Sequence, residues 1–350
     1  MITPNPVLGS TIHAVGGISA STCYLPFEKA KWSWGSFWIV QATFAWFLMP
    51  LIIGLLTVPE LFTVIRNSPS SALITPFLLG AIYGFGGMSF GFAIRYIGFS
   101  LTYTISIGIS AVLGTITPLM LKGQLVESFM NPGGAIVLTG MVMAISGVII
   151  CGLAGYMKEN DLKLIGNTDA TVQFNMRKGL LLTVFAGILS AVFGISLDYG
   201  QPISDIAAEY GAGIYEGNSK IIISTLGCYL TNITWFIIKG IKEDTLKELV
   251  QAKKYGIRTA TGNYFWSVLG GSLWYFQFFF YGLGHVRMGE FKFASWVIHM
   301  SMLIFFSYIV GVIMKEWRKV RVKTYMTLIF ALVILILSFV IMTWGSLKSV

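Results

Sequence analysis

The chain has 350 residues, of which 55% are apolar and only 11% charged, with a mean hydropathy of +0.75. A water-soluble domain carries roughly 25% charged residues, so there is too little polar surface here to coat a globule of this size. The formal charge of +9 would suit nucleic acid, but the basic residues sit in short loops between apolar runs. Membrane topology produces that placement, and nucleic acid is excluded as a partner.

A membrane helix needs about 20 mostly apolar residues. In chain order, the sequence predicts an all-α integral membrane protein with about ten transmembrane helices. They lie near residues 7–27, 36–57, 73–94, 98–121, 133–156, 177–199, 218–238, 262–284, 292–314 and 324–345. Met1 to Pro6 carry no positive side chain and further spans follow at once, so the first run is expected to be retained rather than cleaved as a signal peptide. Turn-prone or charged segments separate the spans, such as Arg66-Asn67-Ser68-Pro69-Ser70 and Lys122-Gly123-Gln124. Two longer connections, 157–176 and 239–261, are too short to be separate domains.

Lys and Arg orient the bundle. The loops after spans one, three, five, seven and nine hold eighteen of them, including Lys29, Arg95, Lys158, Lys253, Lys254 and Arg321, against six on the other side. Cytoplasmic loops carry the excess of positive charge, so both termini are expected on the periplasmic, outer side of a cell membrane. Ten spans suggest two halves of five, residues 1–156 and 177–350, joined by a cytoplasmic connection at 157–176. An odd number of spans per half turns the second copy upside down, the inverted-repeat plan of many transporters. A faint echo supports it: Tyr83 to Gly98 (YGFGGMSFGFAIRYIG) and Trp274 to Gly289 (WYFQFFFYGLGHVRMG) both end with an arginine shortly before a glycine.

Polar residues inside the spans carry the functional signal, because ionisable groups there are costly and face an interior or a wet cavity. The three histidines, His13, His285 and His299, all lie in or at the edge of spans. Counted from the outer ends of their spans, His13, Gln277 and His299 are each roughly 10 Å deep. Trp274, Gln277 and Tyr281 share one face of span eight, and Trp296 and His299 one face of span nine. Apolar walls with a few polar groups make a binding pocket, and a sugar offers hydroxyls to His and Gln and a C–H face to an indole. Interfacial Trp anchors with helix-to-helix hydrogen bonds are the plainer reading, preferred for Trp32, Trp34 and Trp38. His13 and His299 are also proton-coupling candidates, since imidazole exchanges protons near neutral pH. Asp198, near the outer end of span six, reads either as a third such candidate or as an exposed loop-edge carboxylate. Arg95, Arg287 and His285 sit at span ends, within reach of headgroups.

Small residues at helical spacing, Gly80, Gly84, Gly87 and Gly91 on span three and Gly9, Gly16, Gly17 and Ala20 on span one, read first as close-packing faces. Cys23, Cys151 and Cys228 have no ligand spacing and are expected as buried hydrophobes, with no metal or other cofactor. The sequence holds no HExxH, no GxGxxG after a strand and no P-loop. No loop is long enough for a nucleotide-binding domain, and no carboxylate pair lies within the spans. An enzyme, an ATP-driven pump and a seven-helix receptor are therefore not expected.

Several stretches resemble the L-rhamnose–proton symporter family, a branch of the drug/metabolite transporter superfamily. They are CYLPFEKAKWSWGSFW (Cys23 to Trp38), GGSLWYFQFFFYGLGH (Gly270 to His285), SWVIHMS (Ser295 to Ser301) and GVIMKEW (Gly311 to Trp317). The resemblance implies two inverted five-helix repeats in the bacterial inner membrane and proton-driven uptake of L-rhamnose or a related deoxysugar. His13, Trp274, Gln277, Trp296 and His299 stand at positions matching the family pattern. Asp198 departs from it, the family having an amide there, and Gly200 to Asn218 match poorly.

The expected protein is thus a monosaccharide–proton symporter working by alternating access. His13 and His299 would bind sugar hydroxyls, one of them taking the proton. Gln277 would orient the ring, and Trp274 and Trp296 would pack on it. Two alternatives stay open: an exporter of small metabolites, and a membrane sugar sensor that transports nothing. A cation exporter would place a carboxylate at mid-membrane, where none lies, and no signalling domain supports a sensor.

Overall fold

A computed structural model describes residues 3–164, 175–250 and 256–348. Half of the expected connection at 157–176, and Lys253 and Lys254 of the positive loops, lie outside the described residues. The helices in order are α1 (Pro6–Thr22), α2 (Trp34–Thr43), α3 (Met49–Thr57), α4 (Leu61–Asn67), α5 (Ser70–Ile97), α6 (Phe99–Leu121), α7 (Leu125–Met130), α8 (Gly134–Leu164) and α9 (Met176–Tyr199). They continue with α10 (Gln201–Glu209), α11 (Gly217–Lys242), α12 (Lys247–Val250), α13 (Ile257–His285), α14 (Ser295–Ile313) and α15 (Val322–Leu347). A π-helical turn, Phe44–Leu48, joins α2 to α3. Among the described residues there is no strand, and eight helical stretches are long and apolar enough to cross a membrane. Two expected spans are not among the eight. Helix α1 has only 17 residues, and α13 interrupts its apolar run with Asn263, Ser267 and Gln277.

Helix α15 shows how lipid shapes these elements. Leu328, Ala331, Leu335, Ser338, Met342 and Gly345 are buried on one face, while Phe330, Val333, Leu337, Val340 and Trp344 are 47–60% exposed on the other. Both faces are apolar, so burial of hydrocarbon from water does not choose between them. Small residues at seven-residue spacing do, because they let helices approach. On α8, Gly140 and Gly147 answer this face: a Cβ on Gly147 would lie 2.8 Å from Leu335 Cδ2.

By internal contacts the chain forms two compact units. Unit one is 1–18, 86–195 and 283–350; unit two is 19–85 and 196–282. In unit one, α8 packs on α15, and α6 on α8 and α14. Tyr308 on α14 is 3% exposed, donates its hydroxyl to the Cys151 carbonyl at 2.7 Å and pairs with Thr104 Oγ1 at 2.7 Å. Such hydrogen bonds replace the missing hydrophobic drive between helices in lipid.

Helix α8 runs to Leu164, two turns beyond the expected end of span five, because its last turns have partners. Lys158 pairs with Glu316 at 2.7 Å and lies over the Trp317 ring. Asp161, 3% exposed, accepts from the Thr324 hydroxyl (2.6 Å), the Arg321 backbone N–H (2.9 Å) and Arg321 Nε (2.5 Å). Together these tie the α14–α15 connection to α8. Arg321 is 66% exposed, so the ion pair itself is screened and adds little. Asp161→Ala is nevertheless expected to cost about 2 kcal/mol, since three donors lose one acceptor. A thermal melt in detergent would read this, and an unchanged midpoint would refute it.

In unit two, α11 packs against α2, α3 and α10. Its polar side chains bond to backbone carbonyls of α5: Thr231 Oγ1 to Ala81 (2.9 Å) and Asn232 Nδ2 to Gly84 (3.2 Å). A Cβ on Gly80 would overlap the Ser224 carbonyl oxygen, and one on Gly84 would meet Thr231. The packing reading therefore holds for these two glycines, whereas a Cβ on Gly87 or Gly91 would meet nothing within 4 Å. Residues 200–218, the poorly matching stretch, include α10, which buries Ile203 and Ala207 against Val58, Leu61 and Val64. Cys23, Cys151 and Cys228 are all buried and free.

Candidate functional site

Helix α14 is buried on every side over its first ten residues, Ser295 to Ile304. Such a helix is a core element rather than a lipid-facing one, and it carries two of the expected site residues. His299 is fully buried, as is His13 of α1. Their ring centroids are 5.7 Å apart at an interplanar angle of 64°, an edge-to-face pair within unit one. Glycines make the approach possible. A Cβ on Gly17 would lie 3.1 Å from the Met302 backbone, and one on Gly284 would lie 2.9 Å from His13 Nε2. His285, beside Gly284 and half-buried, is also within electrostatic reach of His13.

All three histidines of the chain therefore gather in unit one, although they come from three helices. His285 read as a span-end residue in the sequence; its type was the only available signal. Among the described residues no group of three or more His, Cys, Asp or Glu is placed to hold a metal ion, and the three imidazoles do not form one.

Trp296 is 3% exposed and donates Nε1–H to the Ser110 carbonyl at 2.9 Å. Its indole lies against Gly114 and Gly194, which leave room for a ring where any Cβ would collide. Trp274 and Gln277, each 5% exposed, belong to unit two. Trp274 packs edge-to-face on Trp46 (5.2 Å, 87°) and against Phe278 (5.0 Å). Asp198 is half-buried in the same unit, within electrostatic reach of Tyr281.

Of the plainer reading for Trp32, Trp34 and Trp38, the helix-to-helix hydrogen bond holds at Trp38, while Trp32 and Trp38 are each 4% exposed and so do not present an exposed anchoring ring. Trp38 donates Nε1–H to Asn232 Oδ1 at 3.1 Å, and Trp32 packs edge-to-face on Tyr264. A partner from a distant helix drew each indole inward, and no local pattern announced it.

Unit one also contains an apolar cavity of about 540 Å³, lined by Leu101, Ile105, Gly108, Val148, Ile149 and Ser301 among others. Its hydrocarbon walls offer almost nothing to hydroxyl groups, so it does not suit a sugar.

Eight helical stretches long and apolar enough to cross a membrane, with large apolar side chains exposed along them, define a multi-pass integral membrane protein. The family model described as L-rhamnose-proton symport protein (RhaT) matches residues 3–347, and the chain belongs to this family. Among its relatives, the L-rhamnose-proton symporter of Pectobacterium atrosepticum is 33% identical over 95% of this chain and 96% of its own. That of Klebsiella pneumoniae subsp. pneumoniae is 32% identical over 95% of each chain. That of Yersinia pestis is 31% identical over 95% of this chain and 96% of its own. The family is one of transporters, not enzymes.

Proposed function

We propose that this chain takes up L-rhamnose, or a closely related monosaccharide, together with protons across the bacterial inner membrane by alternating access. The carrying observation is the match over nearly the whole chain to proteins named L-rhamnose-proton symporter. The buried pair of His13 and His299 supplies what coupling needs, groups able to exchange a proton inside the membrane. In this reading one histidine takes the proton while both meet sugar hydroxyls. Trp296 within unit one, and Gln277 and Trp274 within unit two, stay candidates for contact with the sugar. Asp198 stays a secondary candidate.

The architecture proposed is ten membrane helices in two inverted repeats, residues 1–156 and 177–350, joined by a cytoplasmic connection at 157–176, as in the drug/metabolite transporter superfamily. Two observations support it. The boundaries between the compact units fall after residues 18 and 85 in the first half and 195 and 282 in the second. These points lie in α1, α5, α9 and α13, the first and third expected spans of each half. The two echoing segments also end alike, in glycines with positive φ, Gly98 at 80° and Gly289 at 60°. Both termini are proposed to face the periplasm, from the excess of Lys and Arg in the opposite loops.

The deciding experiment is uptake of labelled L-rhamnose into proteoliposomes, with and without an inward proton gradient. Accumulation only with the gradient is expected. Gradient-independent equilibration would remove proton coupling, and no uptake by a folded preparation would remove rhamnose as the substrate.

A further inference from the structure

We infer that Gln41, Trp46 and Trp274 form a carbohydrate subsite within unit two. In it the Trp46 indole N–H donates to one sugar hydroxyl, the Gln41 side-chain oxygen accepts from another, and the Trp274 ring lines the wall. The inference deepens the sugar-carrier reading above and rests on it.

The sequence around these residues sets the geometry. Between α2 and α3 the backbone widens by one residue, so that Met49 N–H reaches back to the Phe44 carbonyl. Such π turns change the phase of the residues they contain and recur at functional sites. Here the turn contains Trp46, whose ring meets Trp274 of α13 at 5.2 Å. Two glycines of α13 press this surface onto α2. A Cβ on Gly271 would lie 2.5 Å from the Gln41 carbonyl oxygen, and one on Gly270 would lie 3.7 Å from the Gln41 side-chain amide carbon.

The polar atoms at this junction are unmatched. Trp46 is 3% exposed and Gln41 2%, yet neither Trp46 Nε1 nor Gln41 Oε1 has a hydrogen-bond partner among the described residues. Buried polar groups are nearly always bonded, and leaving them unmatched is destabilising. The neighbouring Trp38, whose ring is 5.7 Å from Trp46, shows that the local packing can satisfy an indole, since Asn232 accepts its N–H. One neutral donor and one neutral acceptor beside aromatic rings suit an uncharged polyol with a C–H face, and suit an ion poorly.

The test uses the full-length chain in detergent and in proteoliposomes. Binding is measured by calorimetry and by sugar-dependent thermal shift, and L-rhamnose exchange is measured without a proton gradient. Trp46→Phe keeps the ring and removes the N–H; Gln41→Met keeps the length and removes the acceptor. Each is expected to weaken L-rhamnose binding and raise the KM of exchange about tenfold, the worth of one neutral hydrogen bond. The sugar-free variants should melt no lower than the wild type, because an unmatched polar atom has gone. Among analogues each lacking one hydroxyl, one should lose affinity on the wild type but lose nothing further on Trp46→Phe. Unchanged affinity in both variants overturns the subsite, and Gln41→Met decides alone if Trp46→Phe does not fold. If the wild type binds another monosaccharide but not L-rhamnose, and that binding weakens in the variants, the subsite stands and rhamnose falls. If no monosaccharide binds, both fall.

Discussion

A chain carrying His13→Ala and His299→Ala is expected to lose accumulation of L-rhamnose altogether. One proton crossing 100 mV supplies about 2.3 kcal/mol. At about 1.4 kcal/mol for each factor of ten, that supports a roughly 50-fold gradient of sugar. Without a proton carrier the internal concentration should rise only to the external one. Two imidazolium charges at the observed 5.7 Å separation would repel each other by roughly 3 kcal/mol at an effective dielectric constant of 20. In the proposed reading the pair would therefore hold at most one proton at a time, and the expected coupling is one proton per cycle through these groups. Exchange of labelled for unlabelled sugar without a gradient separates the two roles. A single His13→Gln or His299→Gln chain that exchanges but does not accumulate marks that residue as the proton carrier. One that does neither marks it as a sugar ligand. Full accumulation by the double variant would remove the histidines from the mechanism.

The second large effect is structural. Gly140→Leu is expected to destabilise the α8–α15 pair by about 3 kcal/mol, the upper end of the usual cost of overpacking. A Cβ at this position would lie 2.5 Å from Met342 Cγ and 2.9 Å from the Met342 backbone nitrogen. A side chain can swing aside, but the backbone of a neighbouring helix moves only if the interface opens. Val142→Leu, two residues away on a face that is 55% exposed, should change almost nothing, because lipid accepts the added methylene. Melting temperatures and the monodisperse fraction after extraction would compare the two. Equal behaviour of both variants would mean that close approach of α8 and α15 contributes little.

The helices were largely legible because lipid demands long apolar runs with their backbone bonded internally. The expected spans at 98–121 and 177–199 differ by one residue at most from α6 and α9. The limits of legibility are equally physical. Helix α1 is shorter than its span because Pro26 is buried in a 3₁₀ turn that follows. Helix α8 is longer because Asp161 and Lys158 find partners on a loop about 160 residues away. The second cause lies outside the segment concerned.

By itself, then, the sequence determined the solvent, the helical class, the approximate spans and the residue types able to exchange a proton or meet a hydroxyl. Hydropathy carries that information because a residue in a span is apolar whether it faces lipid or another helix. For the same reason hydropathy says nothing about which face meets which helix. The tertiary structure alone decided that His13 lies beside His299, and that Trp38 turns inward to Asn232, 194 residues away. It also decided that Gln41 and Trp46 keep unmatched polar atoms next to Trp274. Small residues and long-range hydrogen bonds choose those partners, and both depend on shape rather than on transfer from water.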